Sequence, residues 1–179
     1  MYRDRTLVPA EAVRLLALGI LTEGDRSYAG LAQDIRFFTQ RIVGPSLDLL
    51  GSSLELLRLE GLIEVASDSG DPEEQMMRIT QPGHRQVQEL LQAQLRAPLN
   101  DIARLVVLLK LRFLDVLSLE DREEQLDLLV DLVRTEKARA ADLAGEFKDH
   151  PLAEWLAFDV VQAQSRIDWL EAALDALEG

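Results

Sequence analysis

The sequence predicts a mainly α protein in two parts: an N-terminal winged helix-turn-helix with a two-stranded β-wing, then an α-helical dimerisation region. Three observations predict it. Apolar residues recur at helical spacing through most of the chain. The period changes once, between residues 61 and 80, around a Ser/Asp/Gly/Pro run. From residue 99 onward every segment reads as helix.

The elements follow in order. "VPAEAVRLLALGILTEG" (8–24) has Pro9 and Glu11 at helix-opening positions, Val13, Leu16, Ile20 and Leu21 at helical spacing, and Gly24 at its end. "SYAGLAQDIRFFTQRIVG" (27–44) is a second helix with Ser27 as N-cap and Leu31, Ile35 and Phe38 on one side. Pro45 and Ser46 break it and open a third helix over 47–60. At about 100° per residue, Leu47, Leu50, Leu54 and Leu57 form its core face. Asp48, Ser52, Glu55 and Leu59 lie opposite, and Gly61 sits where a C-cap glycine belongs.

Leu62–Val65 and Met76–Thr80 read as the two strands of a hairpin, and "QPGHRQVQELLQAQL" (81–95) returns to helix. Pro98 marks the expected boundary, giving a winged helix-turn-helix domain at 1–96 and a helical dimerisation domain at 97–179. In the second part, 99–117 is rich enough in Leu and Val to be buried on most sides. The 118–147 stretch opens with a near capping box, Ser118 and Asp121. The last helix, 150–177, places Leu156, Val160, Ala163, Ile167, Leu170 and Leu174 at alternating steps of four and three. That seam needs cover, from a neighbouring helix or from a second copy of the chain, and these six residues are the expected dimerisation set.

Composition bounds the function. At 179 residues with 47% hydrophobic content, the chain can bury a core. It has no cysteine, which removes disulfides, thiolate metal sites and cysteine nucleophiles and fits a reducing cytoplasm. No stretch approaches the roughly 20 apolar residues of a membrane span, and no signal peptide is expected, so a cytoplasmic protein without membrane contact is expected. Net charge is −13, from 19 bases and 32 acids. Residues 1–96 hold 10 bases against 14 acids, so neither part has a global basic footprint for phosphate.

Enzyme chemistry finds little support, and no cofactor or metal is expected. His84 and His150 have no ligand companion at motif spacing, and both read as surface residues. There is no phosphate-cradling glycine loop and no nucleophile elbow.

"RLLALGILTEGDRSYAGLAQDI", "PSLDLLGSSLELLRLEGLIE", "MRITQPGHRQVQEL", "LKLRFLDVLSLEDREEQLDLL" and "RIDWLEAALDAL" together resemble the PadR family of transcriptional regulators. The most specific pieces are "LEGLIE" and "RITQPG". The resemblance implies a homodimer whose two recognition helices address a palindromic operator DNA about one DNA turn apart. It also implies a possible small hydrophobic effector near the domain junction. The departures fall on the reading surface. Asp48 and Leu49 stand where the family opens its helix with glycine and threonine, Gly51 replaces its tyrosine, and Glu55 and Leu56 replace its usual two bases. The hairpin tip, often basic in the family, carries Asp68, Asp71, Glu73 and Glu74.

Phosphate contacts supply most DNA affinity, and acidic reading elements oppose them. The candidate DNA-binding residues are Arg3 and Arg5 on the N-terminal arm, Arg36 and Arg41 on the second helix, Ser52 and Arg58 on the third, and Arg78 in the wing. Arg36 and Arg41 can equally be solvated helix charges. Leu49, Leu56 and Leu59 form a second candidate surface, for a protein partner, unless the wing or arm covers them. Trp155, Phe158 and Trp169 suit either dimer core or an aromatic ligand pocket. Two functions therefore stand: a dimeric DNA-binding regulator, and a winged-helix dimer acting through protein contacts.

Overall fold

The computed structural model describes residues 7–44, 50–67 and 70–178, with the side chains of 50–53 and 178 excepted. Its order is α1 (Pro9–Thr22), β1 (Arg26–Ser27), α2 (Tyr28–Ile42), α3 (Leu50–Leu59), β2 (Ile63–Ser67), β3 (Met76–Ile79), α4 (Gln81–Leu91), α5 (Asp101–Arg112), a 3-10 turn (Leu114–Val116), α6 (Leu119–Glu146) and α7 (Pro151–Glu178). Two compact units result. One runs through Gln94 and resumes at Asn100–Leu117; the other comprises Leu95–Leu99 and Ser118–Gly179.

In the first unit α1 is the central helix, with Ala12, Val13 and every residue from Leu15 to Leu21 buried. Glu11 accepts from the Val8 amide (3.0 Å), satisfying a donor that a helix start leaves orphaned. The predicted N-cap Ser27 accepts from the Gly30 amide at 3.1 Å. Helix α3 buries Leu54 and Leu57. It ends in a Schellman motif: the Gly61 amide bonds Arg58 O (3.0 Å) and the Leu62 amide bonds Leu57 O (2.9 Å). Gly61 takes φ +71°, a conformation that costs an L side chain strain. Pro45 to Leu49, expected to open this helix, lie outside the described residues.

The wing is antiparallel, with Ile63 opposite Ile79, Glu64 opposite Arg78 and Val65 opposite Met77, and a register shift before Ser67. The sheet has three strands, not two, in the order β1-β3-β2: Arg26 and Ser27 pair with Met77 and Met76. Its root is tightly joined to α4. The Thr80 amide donates to Leu62 O at 3.0 Å, the Thr80 hydroxyl to Gly61 O at 2.7 Å, and the Gly83 amide to the Thr80 hydroxyl at 3.2 Å. A Cβ on Gly83 would lie 2.2 Å from Leu62 O, so only glycine allows this approach.

The winged-helix unit extends beyond residue 96, where the sequence reading divides the chain. Helix α5 is the reason. Leu105, Val106 and Leu109 are buried, and α5 packs against α1 and α2. The Phe113 ring lies so close to Gly19 that a Cβ there would meet it at 2.4 Å. Arg112 pairs with Glu23 at 3.0 Å, and the buried Lys110 ammonium donates to Leu91 O at the end of α4.

In the second unit α6 and α7 form an antiparallel helical hairpin, since Arg134 pairs with Glu171 (2.7 Å) while Lys137, further along α6, reaches the earlier Gln164. Ser118 caps α6, accepting from the Asp121 amide at 3.2 Å. Leu126, Leu129, Val130 and Val133 of α6 are buried with Leu156, Ala163, Ile167 and Leu170 of α7, while Val160 and Leu174 are half-buried. The expected dimerisation seam is thus covered by α6 of the same chain, so it does not require a second copy. Helical spacing defines a face that needs cover but not which helix supplies it.

Candidate nucleic-acid interface

A winged helix presents the outward face of its third helix, flanked by the wing. Burial of Leu54 and Leu57 turns Glu55, Leu56, Arg58 and Leu59 outward. The end of α3 is fixed to α1 by a bidentate pair, with the two Arg14 guanidinium nitrogens 2.6 and 2.9 Å from Glu60. The wing is tied to the start of α2: the Tyr28 amide donates to Gln75 O and the Ala29 amide to Glu73 O, each at 3.0 Å. Between helix and wing lies a cleft of about 210 Å³ lined by Tyr28, Leu54, Glu55, Arg58, Pro72, Glu73, Gln75 and Met77. One base faces two carboxylates there.

The candidate bases differ in their surroundings. Arg58 pairs with Glu55 one turn back on its own helix, at 3.1 Å. Arg78 in β3 forms a bidentate pair with Asp25, at 3.1 and 2.6 Å. That hydrogen bond, with the charge of Asp25, raises the guanidinium pKa above its ordinary value. Arg41 folds back on α2, donating to Phe37 O at 2.9 Å and stacking 3.4 Å over the Phe37 ring. Arg36 is exposed and has no ion-pair partner among the described residues. Arg3 and Arg5 lie outside the described residues, and Ser52 lies in α3 with its side chain outside them.

Among the described residues, the predicted bases are therefore not gathered into one unpaired band. Sequence reasoning missed the carboxylates that hold two of them. Glu55 is three residues from Arg58, a spacing that could have shown the pair. Asp25 and Arg78 are brought together only by β1 pairing with β3. Arg26, also missed, sits 3.7 Å from Asp34.

The candidate protein-contact leucines fall in two groups. Leu59 is 79% exposed and Leu56 48%, so the wing does not cover them. Leu49 lies outside the described residues. His84 is exposed, and His150 accepts from the Leu152 amide at 3.1 Å in the turn before α7. Among the described residues no helix is long and apolar enough to cross a membrane. Trp155, Phe158 and Trp169 stand 67%, 66% and 59% exposed, on the side of α7 away from α6.

A family model for AphA-like transcriptional regulators matches residues 2–174. No curated protein matches the chain. Among solved structures, PadR of Bacillus subtilis is 18% identical, over 97% of this chain and 99% of that one, with a TM-score of 0.42. The same protein in complex with operator DNA is 19% identical over 92% and 98%, with a TM-score of 0.40. The smu.1604c protein of Streptococcus mutans UA159 is 19% identical over 90% and 98%, also at 0.40. At such identities and TM-scores the likeness assigns no role to individual residues.

Proposed function

The chain belongs to the AphA-like transcriptional regulators, a family of regulators rather than enzymes, and on that premise we propose that it is a cytoplasmic, homodimeric, PadR-like protein that binds operator DNA. The observation that carries this reading is the frame of α3. Leu54 and Leu57 hold the helix in the core, Gly61 ends it, and the wing follows at once, so the outward face is positioned as a DNA-reading helix is.

The chemistry of that face modifies the docking. Arg58 and Arg78 must exchange Glu55 and Asp25 for phosphate, whereas Arg36 on α2 is available at once. Phosphate contacts set the register before bases are read. The first contact therefore comes from Arg36 on α2, and α3 and the wing contribute after their ion pairs open; Arg41, Arg3 and Arg5 remain further candidates for phosphate. Glu55, once released, can accept from cytosine N4.

Leu56 and Leu59 favour a second reading, in which the same face docks a protein. Fluorescence anisotropy with the chain's own promoter region and with random duplex, at low and rising salt, separates the two. DNA binding at micromolar protein in low salt, weakened in Arg36→Ala, supports the regulator that contacts DNA directly. Absence of binding to either duplex refutes it and leaves the protein-contact reading, which in turn fails if Leu56→Ser with Leu59→Ser leaves the partner interaction unchanged.

A further inference from the structure

The cleft between α3 and the wing has features that DNA contact does not use. Its floor is apolar: Leu54 and Met77 are each 2% exposed, and Pro72 adds to it. Its walls are set by the fold. The amides of Tyr28 and Ala29 donate to Gln75 O and Glu73 O at 3.0 Å, which fixes the wing segment against α2. Burial of Leu54 and Leu57 fixes α3 on the other side. A ligand would therefore enter a cleft already formed, with no loop to order on binding.

The polar groups of the cleft are unevenly answered. Glu55, Glu73 and Arg58 all line it, two carboxylates against one guanidinium. Glu55 holds that guanidinium at 3.1 Å. The Glu73 carboxylate makes no ion pair, and the Tyr28 hydroxyl no hydrogen bond, among the described residues. An unanswered carboxylate and a free phenol thus stand beside a buried apolar floor.

We propose that this cleft binds a small organic cation, an ammonium group on an apolar body. The ammonium donates to the Glu73 carboxylate and lies near the Tyr28 ring, whose face attracts cations. The apolar body covers Leu54, Met77 and Pro72. Volume limits its size: a cavity of about 150 Å³ takes up benzene, so the 210 Å³ here accommodates one ring with a short arm. Other ligand classes match less well. An anion, a DNA phosphate included, meets the uncompensated charge of Glu73. A neutral molecule leaves that charge unanswered. A metal ion lacks donors, since no three His, Asp or Glu side chains gather as a metal set among the described residues. The site lies within the winged helix itself, apart from the domain junction where the family resemblance places an effector.

Isothermal titration calorimetry of the full chain with phenethylammonium chloride, at constant ionic strength, gives the first test. Two controls divide the ligand: 2-phenylethanol keeps the ring without the charge, and ammonium chloride keeps the charge without the ring. Phenethylammonium should saturate one site per chain, and each control should bind at least about tenfold more weakly, because a hydrogen bond to a charged group and burial of a ring each contribute about that factor or more. Glu73→Gln should weaken phenethylammonium about tenfold. Glu120→Gln, which removes an exposed carboxylate at the start of α6, should leave the affinity unchanged. Absence of saturable binding, equal binding of 2-phenylethanol, or equal loss in the two variants overturns the proposal. Amide NMR shifts supply the location. Glu55, Gln75 and Met77 should move on titration, and shifts confined to α6 and α7 overturn the site. Neither measurement involves DNA, so the result is independent of whether the chain binds an operator.

Discussion

Replacing Glu55 by Gln should strengthen DNA binding and make it more salt-sensitive, with almost no effect on folding. In the free protein Glu55 holds Arg58 at 3.1 Å, and both side chains are about half exposed. Such an i,i+3 ion pair in water contributes about 0.2–0.5 kcal/mol to stability, so its loss barely moves the melting temperature. The formal charge changes from −13 to −12 per chain, and Arg58 is released toward phosphate. Each phosphate neutralised adds about 0.9 to the slope of log K against log salt, so two arginines in a dimer add about 1.8. Between about 50 and 200 mM salt the advantage of the variant over wild type should therefore fall roughly tenfold. Fluorescence anisotropy on one duplex at four or more salt concentrations reads both slopes. Adding Arg58→Ala to Glu55→Gln should restore the wild-type slope. Parallel lines for wild type and Glu55→Gln would refute the reasoning, because Arg58 would then meet no phosphate even when free.

Asp25→Asn should act in the same direction through Arg78. Since the hydrogen bond and charge of Asp25 raise the Arg78 pKa above its ordinary value, Arg78 keeps its charge throughout the neutral range; DNA affinity should therefore not depend on Arg78 ionisation there, as titrations at several neutral pH values would show. Gly83→Ala should cost about 1–3 kcal/mol or more in urea denaturation through overpacking on Leu62 O, clearly above the ~1 kcal/mol expected for Gly61→Ala. Lys110→Met should cost about 1–3 kcal/mol by leaving the buried carbonyl of Leu91 without this donor, again read by urea denaturation.

Much of the fold was legible because its signals are local. Ser27 and Ser118 cap the helices predicted from them, and Gly61 terminates α3 by the expected geometry. "LEGLIE" and "RITQPG", singled out as the most specific strings, meet in space: Gly61 and Leu62 of the first accept from Thr80 of the second. What stayed hidden depends on distant partners. Two residues, Arg26 and Ser27, are too few to show strand alternation, so β1 was not expected. The apolar run of α5 gave helix and burial but not the partner, and Phe113 against Gly19 places it with the winged helix. The seam through Ile167 and Leu170 was correctly read as needing cover, and the nearer helix provides it. The candidate site was legible as residue types only. Asp25 and Arg78 are 53 residues apart, and no spacing rule reveals that an arginine is already engaged.

The joint between Gly61, Leu62, Thr80 and Gly83 makes the unit a chassis whose outer fittings are interchangeable. None of the atoms in that joint belongs to the side chains of Glu55, Glu73 or Glu74. Glu55, Glu73 and Glu74 could therefore be replaced by Lys or Arg without loosening the angle between helix and hairpin. A designer could reverse the sign of the reading surface while keeping its shape.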